Sequence, residues 1–155
     1  MSIVRKNTGF TMIELIVVVA LLGILAAVAL PRFISVGGKA REAALDAAVG
    51  AVRSASALAH SNTLAAGNAQ NTAIDLGSPD GNVTMINFYP TANAAGVVRA
   101  ANLGTDYSTS GGGASAGDTI TISVADASGT CQVTYTAPAN TTTAPTITPD
   151  SSGCN

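Results

Sequence analysis

Glu14 is the only charged side chain between Phe10 and Leu30, and it lies one helical turn past a Gly9–Phe10 junction. A lone carboxylate in an apolar run is no acid–base centre, because it has neither a second titrating group nor a metal ligand beside it. Its available chemistry is charge pairing. Scission between Gly9 and Phe10 would create an α-amine on Phe10 within reach of Glu14, on the same chain or on a neighbouring copy. Few other residues invite chemistry. Cys131 and Cys154 are the two cysteines, and His60 is the single histidine. One histidine makes no histidine-based metal cluster, and His60 reads as a helix-surface or cap-region residue. The run Gly111–Gly117 lacks the Gly-Lys-Ser/Thr of a phosphate loop and reads as a flexible loop. Asp75, Asp80 and Asn82 offer oxygen ligands for calcium, but their spacing departs from the helix–loop–helix calcium motif, and a polar turn is the plainer reading. Asn82-Val83-Thr84 and Asn140-Thr141-Thr142 fit the glycosylation sequon, a pattern frequent by chance. No nucleophile–base pair, metal set or cofactor motif emerges, so neither an enzyme nor a cofactor is expected.

The element that must carry Glu14 is a helix. From Leu15 to Leu30 no residue is charged, and only Gly23 lacks an apolar side chain. About 20 such residues, at 1.5 Å each, cross the hydrocarbon core of a bilayer. Arg5 and Lys6 precede the run, so the amino end stays in the cytoplasm and the rest of the chain lies outside it. Ala26-Ala27-Val28-Ala29 resembles a secretory cleavage site, which would make the whole run a removable signal. Glu14 argues against that alternative. A carboxylate at the bilayer centre costs about 2.5–3.5 kcal/mol, less near the interface, and calls for a partner. Gly23 and Ala27 have the small-xxx-small spacing of close helix packing. Pro31 removes a backbone donor and marks a membrane exit or a bend.

Beyond the membrane the chain changes character twice. Lys39 to Ser61 is alanine-rich, and Leu45, Val49, Val52 and Leu58/Ala59 recur at helical spacing. This stripe should pack on a sheet, with Gly37-Gly38 a flexible spot between two parts of one long helix. From Thr72 onward the pattern is that of strands. Val83–Tyr89, Asp118–Ala125 and Thr130–Thr136 are the clear candidates, and Val97–Leu103 is a weaker one. Asp126-Ala127-Ser128-Gly129 joins the last two clear strands as a hairpin loop. The expected class is α+β: a long amino-terminal helix packed on an antiparallel sheet. Two cysteines in a small exported domain favour a Cys131–Cys154 bridge over free thiols. Closing that loop is worth about 3–3.5 kcal/mol on the chain-entropy model. Of the seven basic residues, Arg5 and Lys6 precede Phe10, which leaves five against nine acids, no footprint for nucleic acid.

Gly9-Phe10-Thr11-Met12-Ile13-Glu14, followed by LIVVVALLGILAAVALPRF, resembles the type IV pilin and pseudopilin families. The resemblance is specific over residues 1 to about 60 and only architectural beyond. It implies a membrane peptidase that cuts after Gly9 on the cytoplasmic side and methylates the amine of Phe10. It implies that Glu14 sets the register of each subunit against Phe10 of its neighbour, and that Gly23 and Pro31 are bend positions. The parts would be a leader (1–9), a transmembrane and assembly half-helix (10–31), an amphipathic half-helix (32–62) and a β-rich head (63–155). A cysteine-bounded carboxyl-terminal loop is similar to that of type IVa pilins, and Ala-Leu-Pro-Arg-Phe to the pilins of mannose-sensitive haemagglutinin pili. The resemblance therefore implies a subunit held first in a bacterial inner membrane and then polymerised with itself by an assembly platform. The product would be a surface filament for adhesion, attachment or motility. A type II secretion pseudopilin or a minor pilin shares the amino-terminal motif. The cysteine pair argues against the first, and filament abundance separates the second.

Overall fold

The computed structural model describes residues 9–127 and 129–155, and it leaves the side chains of residues 30–35 undescribed. The leader assigned to residues 1–9 lies outside the described residues except for Gly9. A single helix, α1, runs from Met12 to Ala65. The chain divides into two compact units, Met1–Gly37 and Gly38–Asn155. In the first, the window Met12–Ala29 has a mean hydropathy of 2.8, and none of it is buried. The helical assignment continues through Gly37-Gly38, so the expected flexible spot is no break in α1.

Among the described residues of the second unit, six strands follow α1. β1 (Met85–Ile86) and β2 (Tyr89–Pro90) form a two-stranded hairpin. β3 (Tyr107–Gly111), β4 (Thr119–Val124), β5 (Gln132–Thr136) and β6 (Thr146–Asp150) form an antiparallel meander in the order β3-β4-β5-β6. The alternation read in the sequence sets the register. Ile120, Ile122 and Val124 of β4, with Val133 and Tyr135 of β5, point inward. They meet Leu45, Ala48, Val49 and Val52 of α1 in one core. Ala59 is buried in a second cluster with Ile74, Val83 and Met85. Leu58, its neighbour in the predicted stripe, is 59% exposed, so the stripe turns on Ala59.

Two expected strands are corrected. Val83–Tyr89 is no continuous strand, because Asn87 (φ 51°) and Phe88 (φ 69°) turn the chain back on itself. Two successive left-handed residues make the tight turn that matches hairpin twist. An aromatic residue there is uncommon. The turn is held from outside: Phe88 N–H donates to Gln70 O at 2.8 Å, and Asn87 Nδ2 donates to Pro138 O at 2.9 Å. Val97–Leu103 is helical at its start rather than a strand. A π-helical turn spans Ala94–Val98, and Asn93 caps it by accepting the Gly96 N–H at 2.8 Å. A Cβ on Gly96 would stand 2.2 Å from both Thr91 O and Thr91 Oγ1. Gly96→Ala should therefore cost about 1–3 kcal/mol, read as a lower urea midpoint with unchanged slope.

Tyr135 is the largest fully buried side chain, and its hydroxyl donates to Pro90 O at 2.7 Å. This bond ties the meander to the end of the small hairpin. Burial pushes the phenol well above the ordinary tyrosine range, eased in part by the neighbouring Ser56 hydroxyl. Ser56 Oγ itself makes no hydrogen bond of regular geometry among the described residues. Tyr135→Phe leaves the buried Pro90 carbonyl unpaired and should cost about 1–2 kcal/mol. The sign with pH follows from the raised value. The unfolded phenol ionises first, so the Tyr135 contribution is intact below pH ~10 and is lost as pH rises above it. Alkaline unfolding of the parent should therefore be steeper than that of the Tyr135→Phe variant.

Candidate functional site: the amino-terminal turn and its exposed helix

The start of α1 is built by a reciprocal pair. Thr11 Oγ1 accepts the Glu14 backbone N–H at 3.2 Å. Glu14 Oε2 in turn accepts the Thr11 N–H at 3.2 Å and the Thr11 hydroxyl at 3.1 Å. This is a capping box, in which a threonine at the cap and an acid three residues on satisfy each other's open donors. The carboxylate also sits at the positive end of the helix dipole. Thr11 is thus a working residue that the sequence reading passed over. Its signal was present, since Thr-x-x-Glu ahead of an apolar run is a start sequence for a helix.

Both bonds to the carboxylate end on one oxygen, Oε2. A carboxylate has about four acceptor positions. Oε1 takes no hydrogen bond among the described residues and is left for an outside donor. Phe10 stands beside this turn, 87% exposed. Ile13, Leu15, Ile16, Val17, Val18, Leu21, Leu22, Ile24, Leu25 and Val28 are all at least 48% exposed as well. The arrangement can do one thing chemically: present a fixed carboxylate at the tip of an uncovered apolar rod. Gly23 lies in α1, and a side chain there would meet nothing within 4 Å in the same chain. Pro31 also lies within α1, and its side chain is among those not described.

The other candidate residues belong to the second unit. Cys131 and Cys154 are bonded, with sulfurs 2.01 Å apart and Cα atoms 4.7 Å apart. Both are buried, at 1% and 4% exposure. His60 is half-buried in α1 and stacks on Tyr89, ring centroids 4.1 Å apart and planes 3° from parallel. Its Nδ1 lies 3.1 Å from Phe88 O, so it props the hairpin turn. Asp75 accepts the Gly77 N–H at 2.7 Å, and the Asn82 carbonyl accepts from Arg99 at 2.6 Å. The Asp75 carboxylate is thus engaged in a local turn, the Asp80 backbone N–H donates to Ser78 Oγ at 3.4 Å, and no group of three metal-ligating side chains forms among the described residues. Asn140 lies in an exposed turn, accepting from Thr142 N and Oγ1. Asn82, the acceptor of the other sequon, is exposed as well, although Val83 beside it is wholly buried.

Comparison with known proteins bears on the same turn and rod. Residues 4–30 match the prokaryotic N-terminal methylation motif. Over 54 residues the chain is 48% identical to the type IV narrow pilus major component PilA5 of Thermus thermophilus, covering 35% of this chain and 47% of that protein. Over 37 residues it is 51% identical to the type IV major pilin protein PilA of Myxococcus xanthus, covering 24% of this chain and 17% of that one. The chain thus spans less than half the length of these curated relatives. No solved structure matches. Through its amino-terminal helix, the chain is a homologue of type IV pilins, and it carries their methylation signal.

Proposed function

We propose that this chain is a structural subunit of a type IV pilus, polymerising with itself through α1. The observation that carries the reading is the uncovered rod. None of the 18 residues in a window of mean hydropathy 2.8 is buried. Apolar surface on that scale is not left in water. Lipid covers it before assembly, and other copies of the same helix cover it afterwards. The methylation motif coincides with the rod at residues 4–30 and supports the same history.

In this reading a prepilin peptidase cuts between Gly9 and Phe10 and methylates the new amine. The subunit waits in the inner membrane, its head outside the cytoplasm. An assembly platform then lifts it into a helical bundle, where the Glu14 carboxylate meets the Phe10 amine of a neighbour. Gly23 and Pro31 let the rod adjust as lipid is exchanged for protein. The head, with its acid surplus, faces outward and makes the surface contacts of adhesion or attachment. An enzymatic role has no place in this reading.

The test is the intact mass of the protein in filaments sheared from cells. The expected species begins at methylated Phe10, is lighter by two hydrogens for the disulfide, and is abundant. Recovery only from the inner membrane would replace the reading with a pseudopilin or a minor pilin. A product cut near Ala29 would overturn it and leave a secreted head.

A further inference from the structure

The sheet's hold on α1 begins at Ala44, whose carbonyl accepts from Tyr107 Oη at 2.9 Å, and at Leu45, which is 1% exposed. Yet Gly38, almost two turns earlier, is already buried while Lys39 and Ala40 beside it are exposed. What covers Gly38 is the segment Gly153–Asn155. A Cβ placed on Gly38 would lie 3.2 Å from Asn155 Cα and 3.5 Å from Cys154 O. The same carbonyl accepts from Arg41 Nη1 at 3.3 Å. Cys131 Sγ lies 3.8 Å from Arg41 O, a contact without a proton to share because the sulfur is in the disulfide. The segment reaches the helix through a slot made for bare backbone. Gly153 N–H donates to Thr130 O at 2.7 Å, and a Cβ on Gly153 would fall 2.1 Å from Thr130 N.

We propose that Gly153–Asn155 is a latch, closed on Gly38 and Arg41, that extends the head's grip on α1 beyond what the sheet provides. The second unit begins at Gly38 itself, the residue that the latch touches. The parts divide the work. Gly38 admits the passing backbone, Arg41 holds a carbonyl, and the disulfide fixes the latch to the start of β5. Without the latch, residues 38–43, an interior stretch of α1, lose the cover that Cys154 and Asn155 give them. A helical stretch with less packing opens more often than a covered one. The inference concerns the head's own mechanics and stands whether or not the chain polymerises.

Amide hydrogen exchange on the full chain in detergent micelles tests it, with two variants. Gly38→Val pushes the latch off while installing a better helix former. If the latch matters, amides of residues 39–42 exchange about tenfold faster despite that gain, and those of residues 48–56, packed on the sheet, keep the parent rate. Arg41→Gln, which keeps helix propensity but shortens the side chain and removes the guanidinium, should accelerate the same amides about three- to tenfold. It decides the matter if the valine variant does not fold. Parent or slower rates at residues 39–42 in these variants refute the latch. Equal acceleration all along residues 39–60 also refutes it, because the contact would then be holding the whole core.

Discussion

Replacing Cys131 and Cys154 together by alanine lowers the stability of the head by about 3 kcal/mol and its melting temperature by about 10 °C. Alanine is the better probe than serine, because both positions are almost wholly buried and a hydroxyl there would lack a partner. The bridge closes a separation of 23 residues, and on the chain-entropy model that loop sets the magnitude. The segment inside the loop explains why the loss is not made good elsewhere. β6 is an edge strand with most of its side chains exposed, and it holds the sheet only through β5. Pro149 removes one of its backbone donors. The connection from residue 137 to residue 145 is largely exposed and offers little apolar surface to refold around. Urea unfolding of parent and variant, followed by far-ultraviolet circular dichroism, measures the difference. A loss below ~1 kcal/mol would mean that strand pairing alone keeps β6 in place.

The parts of the fold that could be read from the sequence are those in which one local rule agrees with the packing. α1 was legible because an uncharged apolar run and an alanine-rich amphipathic stretch are both helical, and no strand signal interrupts them. β4 and β5 were legible because Ile120, Ile122 and Val124, then Val133 and Tyr135, alternate cleanly with polar residues. The Cys131–Cys154 pair followed from there being two cysteines in an exported domain. The misses share a different character. β3 (Tyr-Ser-Thr-Ser-Gly) and β6 (Thr-Ile-Thr-Pro-Asp) are edge strands with one inward face apiece, Tyr107 at the start of β3 and Ile147 in β6. Periodicity has almost nothing to report there. They exist because β4 and β5 offer them hydrogen-bonding edges, a tertiary cause. The hairpin turn at Asn87-Phe88 reads as mid-strand because an aromatic residue favours strands. Its left-handed backbone is imposed by Gln70, Asn71 and Pro138, residues far away in sequence. The turn at Ala94–Val98 depends on Asn93 and on the absence of a side chain at Gly96, which a search for apolar alternation cannot weigh. At the amino-terminal turn Glu14 stands out as the lone charge in an apolar run, while Thr11 is marked only by the fainter Thr-x-x-Glu spacing.

Glu14→Gln should reduce filament yield at least tenfold without reducing the membrane pool, and its comparison with Thr11→Val separates the two roles of the carboxylate. Inside the chain, Glu14 caps α1 through Oε2. Glutamine serves the same position of a capping box, so this role survives the substitution. Insertion becomes easier, since removing a carboxylate from an apolar run relieves up to about 2.5–3.5 kcal/mol, less near the interface. What glutamine removes is the negative charge available to a neighbour's Phe10 amine. Breaking one side of a buried ion pair costs about 3–5 kcal/mol because the other charge remains uncompensated. At about 1.4 kcal/mol per factor of ten, that penalty at every subunit contact exceeds the tenfold expected in yield. Thr11→Val is the converse change. It deletes the hydroxyl that caps the helix, a loss of about 1 kcal/mol, and leaves the charge in place. Its yield should stay within a few-fold of the parent. Sheared filament protein, quantified against the membrane pool of the same cells, reads both effects at once. Normal filaments from Glu14→Gln would reduce Glu14 to its cap and remove the register mechanism. Poor filaments from Thr11→Val as well would mean that the helix start, and not the charge, is what assembly requires.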